Sequence, residues 1–365
     1  MKPIRRVLIA HPYGIGDLLF VTPVLRALRL LPGLERVDLL LGSRTGPVIR
    51  ANPHVDTIYI LDKDRMHAQN FWQNLADMKT LGQALRHQRY DLMLDYSLRR
   101  EYAFWGRWML GIPVCAGLDY KGRGLFHSIK LAIPNGFEAR HVVNYYCDLA
   151  VKAGIPVDYR CPELYIDEEN RGVAQALFRK SGIQPDEKLL VVAPGGGESW
   201  GQDAHLKQWP IRNFAALLER IREHAAFDRV LILGTLKEKK LAEELQRSLD
   251  GRCVDLTGTC DLGTAAAILA QAALFVGNDG GLLHMAHALR IPLIGIYGPA
   301  SPVVYGPYPE NSRACVAVAA NPCYRKFRYD KDCGCLATVT VEQVWQQLEK
   351  QNFLNGLSTI PTKIS

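Results

Sequence analysis

The apolar pattern changes period repeatedly along the chain. Arg6 to His11 is a short apolar run, broken by Pro12-Tyr13-Gly14-Ile15-Gly16-Asp17. From Leu18 apolar side chains return at helical spacing through Val21, Val24, Leu25, Leu28 and Leu31, until Pro32-Gly33 stops them. This predicts strand, glycine loop, helix. Arg36 to Leu41, Thr57 to Leu61 and Asp91 to Asp95 read as further strands, and Phe71 to Gln88 as a helix. Strands alternating with helices imply a parallel sheet covered on both faces.

The second half repeats the theme. Lys188 to Ala193 is a strand ending in Pro194-Gly195-Gly196-Gly197, and Ile211 to His224 a helix. Arg229 to Leu233, Cys253 to Leu256, Ala273 to Val276 and Pro292 to Tyr297 read as strands. Lys237 to Leu249, Leu262 to Gln271 and Leu282 to Leu289 read as the helices between them, and Val341 to Lys350 as a closing helix. Around Tyr159 to Asn170, Pro162 and a charged stretch interrupt the pattern and mark the boundary. A length of 365 residues suits two domains, here 1–165 and 175–340. Ligands of parallel sheets sit at the carboxyl ends of strands, where every glycine loop above falls.

Composition excludes more than it selects. The 48% hydrophobic and 22% charged residues are globular values, which sets aside disordered and fibrous classes. No apolar run reaches the ~18 residues of a spanning helix, so any membrane contact is peripheral. No signal peptide is recognised, and nine cysteines, mostly isolated, suit a reducing cytoplasm. A net charge of +7 fits a phosphorylated ligand, an anionic surface or plain solvation.

Several positions carry candidate chemistry. In Gly277-Asn278-Asp279-Gly280-Gly281, an apolar strand runs into small residues and then a helix. Free N–H groups and a positive dipole end there suit a phosphate; equally, Asp279 suits an N-cap. Asp17 has the same two readings, N-cap or general base. Lys207, before Trp209-Pro210, can meet a phosphate as a point charge or stand solvated beside a packed Trp. His284 lies one helical turn past Gly280. Cys323, Cys333 and Cys335 make an incomplete metal pattern, and free thiols in a basic loop are the favoured reading. No complete Gly-x-Gly-x-x-Gly follows a strand, which disfavours a nicotinamide dehydrogenase.

Taken in order, Gly16-Asp17 with Thr22-Pro23, Lys207-x-Trp209-Pro210, Asp279-Gly280-Gly281-x-x-His284-x-Ala286, and Gly298-Pro299 with Gly306-Pro307 resemble glycosyltransferase family 9, the ADP-heptose-using heptosyltransferases of lipopolysaccharide assembly. The resemblance implies a GT-B fold: α/β, two Rossmann-like domains with parallel sheets facing a central cleft. The first binds the acceptor, the second the nucleotide-sugar donor, and the C-terminal helix, 341–355, returns to the first. It implies inverting, metal-independent transfer of a heptose from ADP-heptose, with no cofactor, to the inner core on a lipid A-linked acceptor at the cytoplasmic face of the inner membrane. Asp17 matches the general base. Lys207, Glu238, Asp279, Gly280, Gly281 and His284 match the donor side, with Lys207 on phosphate and Glu238 near the ribose. Lys63, Arg65, Arg99, Arg100 and Arg123 are candidates to meet the anionic acceptor. The chain departs from many members in having Gly280 where they carry Ser or Thr after the Asp. A second nucleotide sugar, or epimerase or hydrolase chemistry on the same fold, are the competing readings.

Overall fold

The computed structural model describes residues 3–354 apart from 63–64, 66–67, 69, 139, 198–199, 310–312, 321 and 324–333. The chain forms two compact units, Met1–Tyr165 and Ile166–Ser365.

The first unit holds six parallel strands: β1 (Arg6–His11), β2 (Arg36–Gly42), β3 (Thr57–Leu61), β4 (Leu92–Asp95), β5 (Val114–Asp119) and β6 (Ile129–Ala132), in the order β3-β2-β1-β4-β5-β6. The second holds six more: β7 (Leu189–Ala193), β8 (Arg229–Ile232), β9 (Cys253–Asp255), β10 (Ala272–Asn278), β11 (Leu293–Tyr297) and β12 (Ala314–Val318), in the order β12-β11-β10-β7-β8-β9. Both are the same doubly wound order. In each, the first and fourth strands of the unit lie side by side, and the winding reverses between them. That reversal opens a crevice at the strand ends, between β1 and β4 in one unit and β7 and β10 in the other. The central strands are buried along nearly their whole length, as helices on both faces of a sheet require.

Two differences from the sequence pattern have clear causes. The helix expected from Leu18 to Leu31 is two, α1 (Ile15–Leu19) and α2 (Thr22–Arg29). Pro23 has no N–H to continue the ladder, and the Thr22 hydroxyl donates to Leu19 O at 2.6 Å. The same hydroxyl accepts from Glu163 N at 2.9 Å, fastening the end of the first unit to this break. Further helices are α3 (Phe71–His87), α4 (Arg100–Phe104, continued by a wider turn Trp105–Met109), α5 (Val142–Lys152), α6 (Glu168–Lys180), α7 (Ile211–His224), α8 (Lys239–Ser248), α9 (Leu262–Leu269), α10 (Gly281–Ala288) and α11 (Val341–Lys350).

The second difference corrects the expected return of the C-terminal helix to the first domain. Val344, Trp345 and Leu348 of α11 are buried in one cluster with Phe214, Leu218, Ile294 and Cys315, all in the second unit. Arg220 on α7 pairs with Glu342 at 2.6 Å and lies over the Trp345 ring. The described part of the tail therefore completes the second unit's own core.

Candidate functional site

The second switch point is built around Asp279. The strand β10 delivers Asn278 and Asp279 buried, and α10 begins at Gly281 after an extended Gly280. Gly280, not Asp279, is the N-cap, so the capping reading of Asp279 fails. Asp279 instead turns both carboxylate oxygens to side-chain nitrogens: Oδ2 lies 2.6 Å from Lys207 Nζ and Oδ1 3.3 Å from His284 Nε2. Burial opposes ionisation of Asp279, but Lys207 and His284 more than offset it and hold the carboxyl well below its ordinary range. Lys207 is itself buried, with its ammonium 5.0 Å from the Trp200 ring centroid.

The surrounding loops are tied to this pair through neutral groups. Asn278 Nδ2 donates to Pro194 O and Gly195 O at 2.7 and 2.9 Å, and Asn278 Oδ1 accepts from Trp209 N at 3.1 Å. Trp209 is buried and its indole N–H donates to Val339 O at 2.7 Å, which fixes the segment that carries Lys207. Glu238 is also buried. Its Oε1 accepts from Gly197 N at 3.0 Å and its Oε2 from Thr235 N at 2.7 Å. Gly195 is a packing necessity here, since a Cβ would sit 1.7 Å from Glu238 Oε1. At Gly280 a Cβ would meet Gly196 O at 3.0 Å. The lack of a side chain at 280 therefore lets two backbones, 196 and 280, close together. Its φ is extended, so the backbone itself makes no demand for glycine. Gly280 and Gly281 are partly exposed, whereas the Lys207–Asp279 pair behind them is not.

The first switch point is looser. Asp17 lies half-exposed in the first turn of α1, whose N-cap is Gly14, so its capping reading also fails. Tyr13, four residues before it, donates its hydroxyl to Ser97 O in the loop after β4. Burial first, then the charges of Asp17 and Asp95, push the Tyr13 phenol upward. Asp95 ends β4 fully buried; its Oδ1 accepts from Ser97 N at 2.8 Å and its Oδ2 pairs with His127 Nε2 at 2.9 Å. The His127 ring fills the space a Cβ at Gly117 would need, at 2.2 Å. His127 Nδ1 and the Tyr102 hydroxyl are buried with no hydrogen-bond partner among the described residues. Burial, then Asp95, pushes the Tyr102 phenol up to about 12.

The structure brings the donor-side residues named from sequence into one neighbourhood: Lys207, Asp279 and His284 in direct contact, with Gly280 beside Gly196 and Glu238 on Gly197. Of the basic candidates, Arg99 is exposed and its charge acts against the upward push on the Tyr13 phenol, and Arg123 donates to Leu98 O at 3.4 Å. Arg100 is exposed at the start of α4. Arg65 is exposed and pairs with Asp77 at 3.3 Å, and Lys63 lies outside the described residues. Sequence reasoning placed Asn278 in the candidate turn without giving it a role, and missed Tyr13, Asp95 and His127 as site residues. An Asp closing an apolar strand, as Asp95 does, was the available signal for one of them; His127 has none, because its partner is 32 residues away. Among the described residues no three His, Cys, Asp or Glu side chains gather as metal ligands. Cys323 is disulfide-bonded, which corrects the expectation of a free thiol there. Cys335 is a free thiol with its sulfur 3.4 Å from that of Cys323, and Cys333 lies outside the described residues.

The sequence profile of glycosyltransferase family 9 (heptosyltransferase) matches residues 78–337. The chain is 24% identical over 337 residues to lipopolysaccharide heptosyltransferase 2 of Escherichia coli K12, covering 88% of this chain and 90% of that one. It shares its fold with E. coli ADP-heptose lps heptosyltransferase II, at TM-score 0.72 and 20% identity, over 97% of this chain and 100% of the other. It also matches the E. coli heptosyltransferase WaaC solved with ADP, at TM-score 0.70 and 21% identity, over 95% and 99% of the two chains.

Proposed function

The chain belongs to glycosyltransferase family 9, and from that premise we propose that it moves a heptose from ADP-heptose to the inner core of a lipid A-linked lipopolysaccharide acceptor, by inversion and without a metal. The observation that carries the reading is the buried Lys207–Asp279–His284 cluster placed behind the partly exposed start of α10. A helix start offers N–H groups and a positive dipole end to an anion. A lysine held in place behind it by Asp279 adds an oriented ammonium donor that needs little reorganisation when the leaving diphosphate gains negative charge. Asp279 keeps that lysine in place and Asn278 keeps the turn closed. That a protein of the same fold, E. coli WaaC, was solved with ADP supports an ADP-linked donor.

Glu238 acts by shaping the Gly195–Gly197 loop against the donor, with its remaining lone pairs free to meet a ribose hydroxyl. On the first unit, Asp17 takes the proton from the acceptor hydroxyl as it attacks the sugar's anomeric carbon. The C–O bond to the diphosphate breaks on the opposite face through an oxocarbenium-like transition state. A placed base of this kind contributes about 10²–10⁴-fold. Arg99, Arg100 and Arg123 meet the acceptor's acidic groups.

The test is ADP release from purified protein, ADP-heptose and a heptose-deficient core acceptor. Acceptor-dependent release with EDTA present is the expected result. Donor consumption without acceptor would instead favour the epimerase or hydrolase reading, and no turnover with any core acceptor would sink the proposal.

A further inference from the structure

We propose that the outer face of α4 with its continuation, Arg100–Met109, and the adjoining segment 120–128 form a docking surface for a bilayer carrying anionic lipid. The inference does not depend on the sugar-transfer reading, though the two reinforce each other.

The face is exposed and apolar where a solvated helix would be polar. Phe104 is 45%, Trp108 64%, Met109 56% and Leu125 66% exposed. The opposite side of the same helix packs into the core, with Tyr102 and the following Leu110 buried. The two segments form one surface: the Phe104 and Phe126 rings stand 5.4 Å apart, and Arg107 reaches toward Ser128 Oγ at 3.5 Å. A gathering of large apolar side chains on a surface marks an interaction site.

Charge selects the occupant. Arg100, Arg107, Lys121 and Arg123 are exposed in these segments, with Arg99 exposed just before them, against one exposed acid, Glu101. A second copy of this chain docking face to face would bring like charges together, which disfavours self-association. An anionic headgroup layer complements them, at about 1 kcal/mol per basic residue near the surface. Tryptophan beside arginine also suits the interface, where the ring is apolar and the headgroups are wet. Among the described residues no helix is long and apolar enough to cross a membrane, so contact of this kind is peripheral. The helix leaves the carboxyl end of β4 and runs back to the start of β5, where Arg107 reaches Pro113 O at 3.4 Å, so the surface runs along the flank of the first unit.

The experiment is co-sedimentation of the full chain with phosphatidylcholine vesicles, with and without phosphatidylglycerol, over a range of salt. Binding to the anionic vesicles that weakens as salt rises is expected. Trp108→Gln should lower the vesicle partition coefficient roughly tenfold, the loss of one interfacially buried aromatic. Arg107→Gln should flatten the salt dependence. Both positions are exposed, so thermal unfolding and turnover on a lipid-free acceptor should stay at wild-type level. Wild-type protein that ignores anionic vesicles, or a Trp108→Gln variant that binds them as well as wild type, overturns the proposal. So does self-association or capture of an acidic protein that Trp108→Gln abolishes while vesicle binding persists. Vesicle binding without sugar transfer would leave this surface standing and sink the transfer reading; transfer to a soluble acceptor without vesicle binding would do the reverse.

Discussion

The two switch points occupy equivalent places in two sheets of the same strand order, yet they are furnished in opposite ways. At the second, the charged groups are buried and paired, and the loops around them are tied by Asn278, Glu238 and Trp209. At the first, Asp95 and His127 form a buried pair of their own, but the proposed base Asp17 is half-exposed and Arg99, Arg100 and Arg123 are exposed in the loops and helix start beyond β4 and β5. The contrast matches two physical tasks. Stabilising a leaving diphosphate rewards fixed charge in a dry setting, where reorganisation costs least. Accepting a large sugar chain and removing one of its protons needs a base that its substrate can reach.

The contrast breaks most readily at Lys207. Lys207→Ala leaves the Asp279 carboxylate buried without its closest cation, a change that typically costs 3–5 kcal/mol. Denaturant unfolding should show a loss of about that size together with weakened ADP binding. Adding Asp279→Asn should restore part of the stability and none of the ADP affinity. Wild-type stability in Lys207→Ala would mean the second switch point is not held by this pair.

A proton probes the same region next. Burial pushes the His287 imidazole down to about 4, where its Nε2 accepts from Tyr308 N at 2.8 Å. Burial also pushes His11, beneath the first switch point, down to about 3. The unfolded chain takes up these protons near 6.5 while the folded one does not, so stability falls as pH drops from 6.5 toward those values. For His287 alone the loss is on the order of 3 kcal/mol by pH 4. Thermal melts of His287→Gln across that window should show a shallower acid slope than wild type; an unchanged slope would remove His287 from the account.

A smaller change sharpens the packing argument. Gly280→Ala places a methyl 3.0 Å from Gly196 O, so the Gly196 loop must give way. Overpacking of this kind costs about 1–3 kcal/mol, read as a lower melting temperature with a raised KM for the donor. The smallest effect belongs to Arg65→Ala. Its exposed pair with Asp77 is worth about 0–1 kcal/mol, and turnover and acceptor KM should stay near wild type, unlike those of Arg123→Ala.

Much of this architecture was legible in the sequence because many of its strands are short apolar runs separated by helical spacing. Thr57–Leu61 and Arg6–His11 fall at their expected bounds. The strand Val114–Asp119 escaped notice because its sequence, with Cys, Ala, Gly and Asp, carries little β-branched signal, and Ala314–Val318 is short and alanine-rich. On the candidate site, the glycines and the lysine were visible as residue types at strand ends. Their partnerships were not. Neither the Asn278 link to Pro194 nor the Asp95–His127 pair leaves a local spacing, since each joins positions far apart in the chain. The need for glycine at 280 reads in sequence as room for a phosphate, whereas in the fold the neighbour is Gly196.

The division of labour between the two switch points stands or falls on Asp17. The direct measurement pairs ADP affinity by calorimetry with single-turnover transfer from ADP-heptose, on wild type and Asp17→Asn. The account predicts ADP affinity unchanged and transfer slowed by about 10²–10⁴-fold. Transfer at the wild-type rate, or ADP affinity lost with it, would contradict a donor held by the second unit and a base supplied by the first.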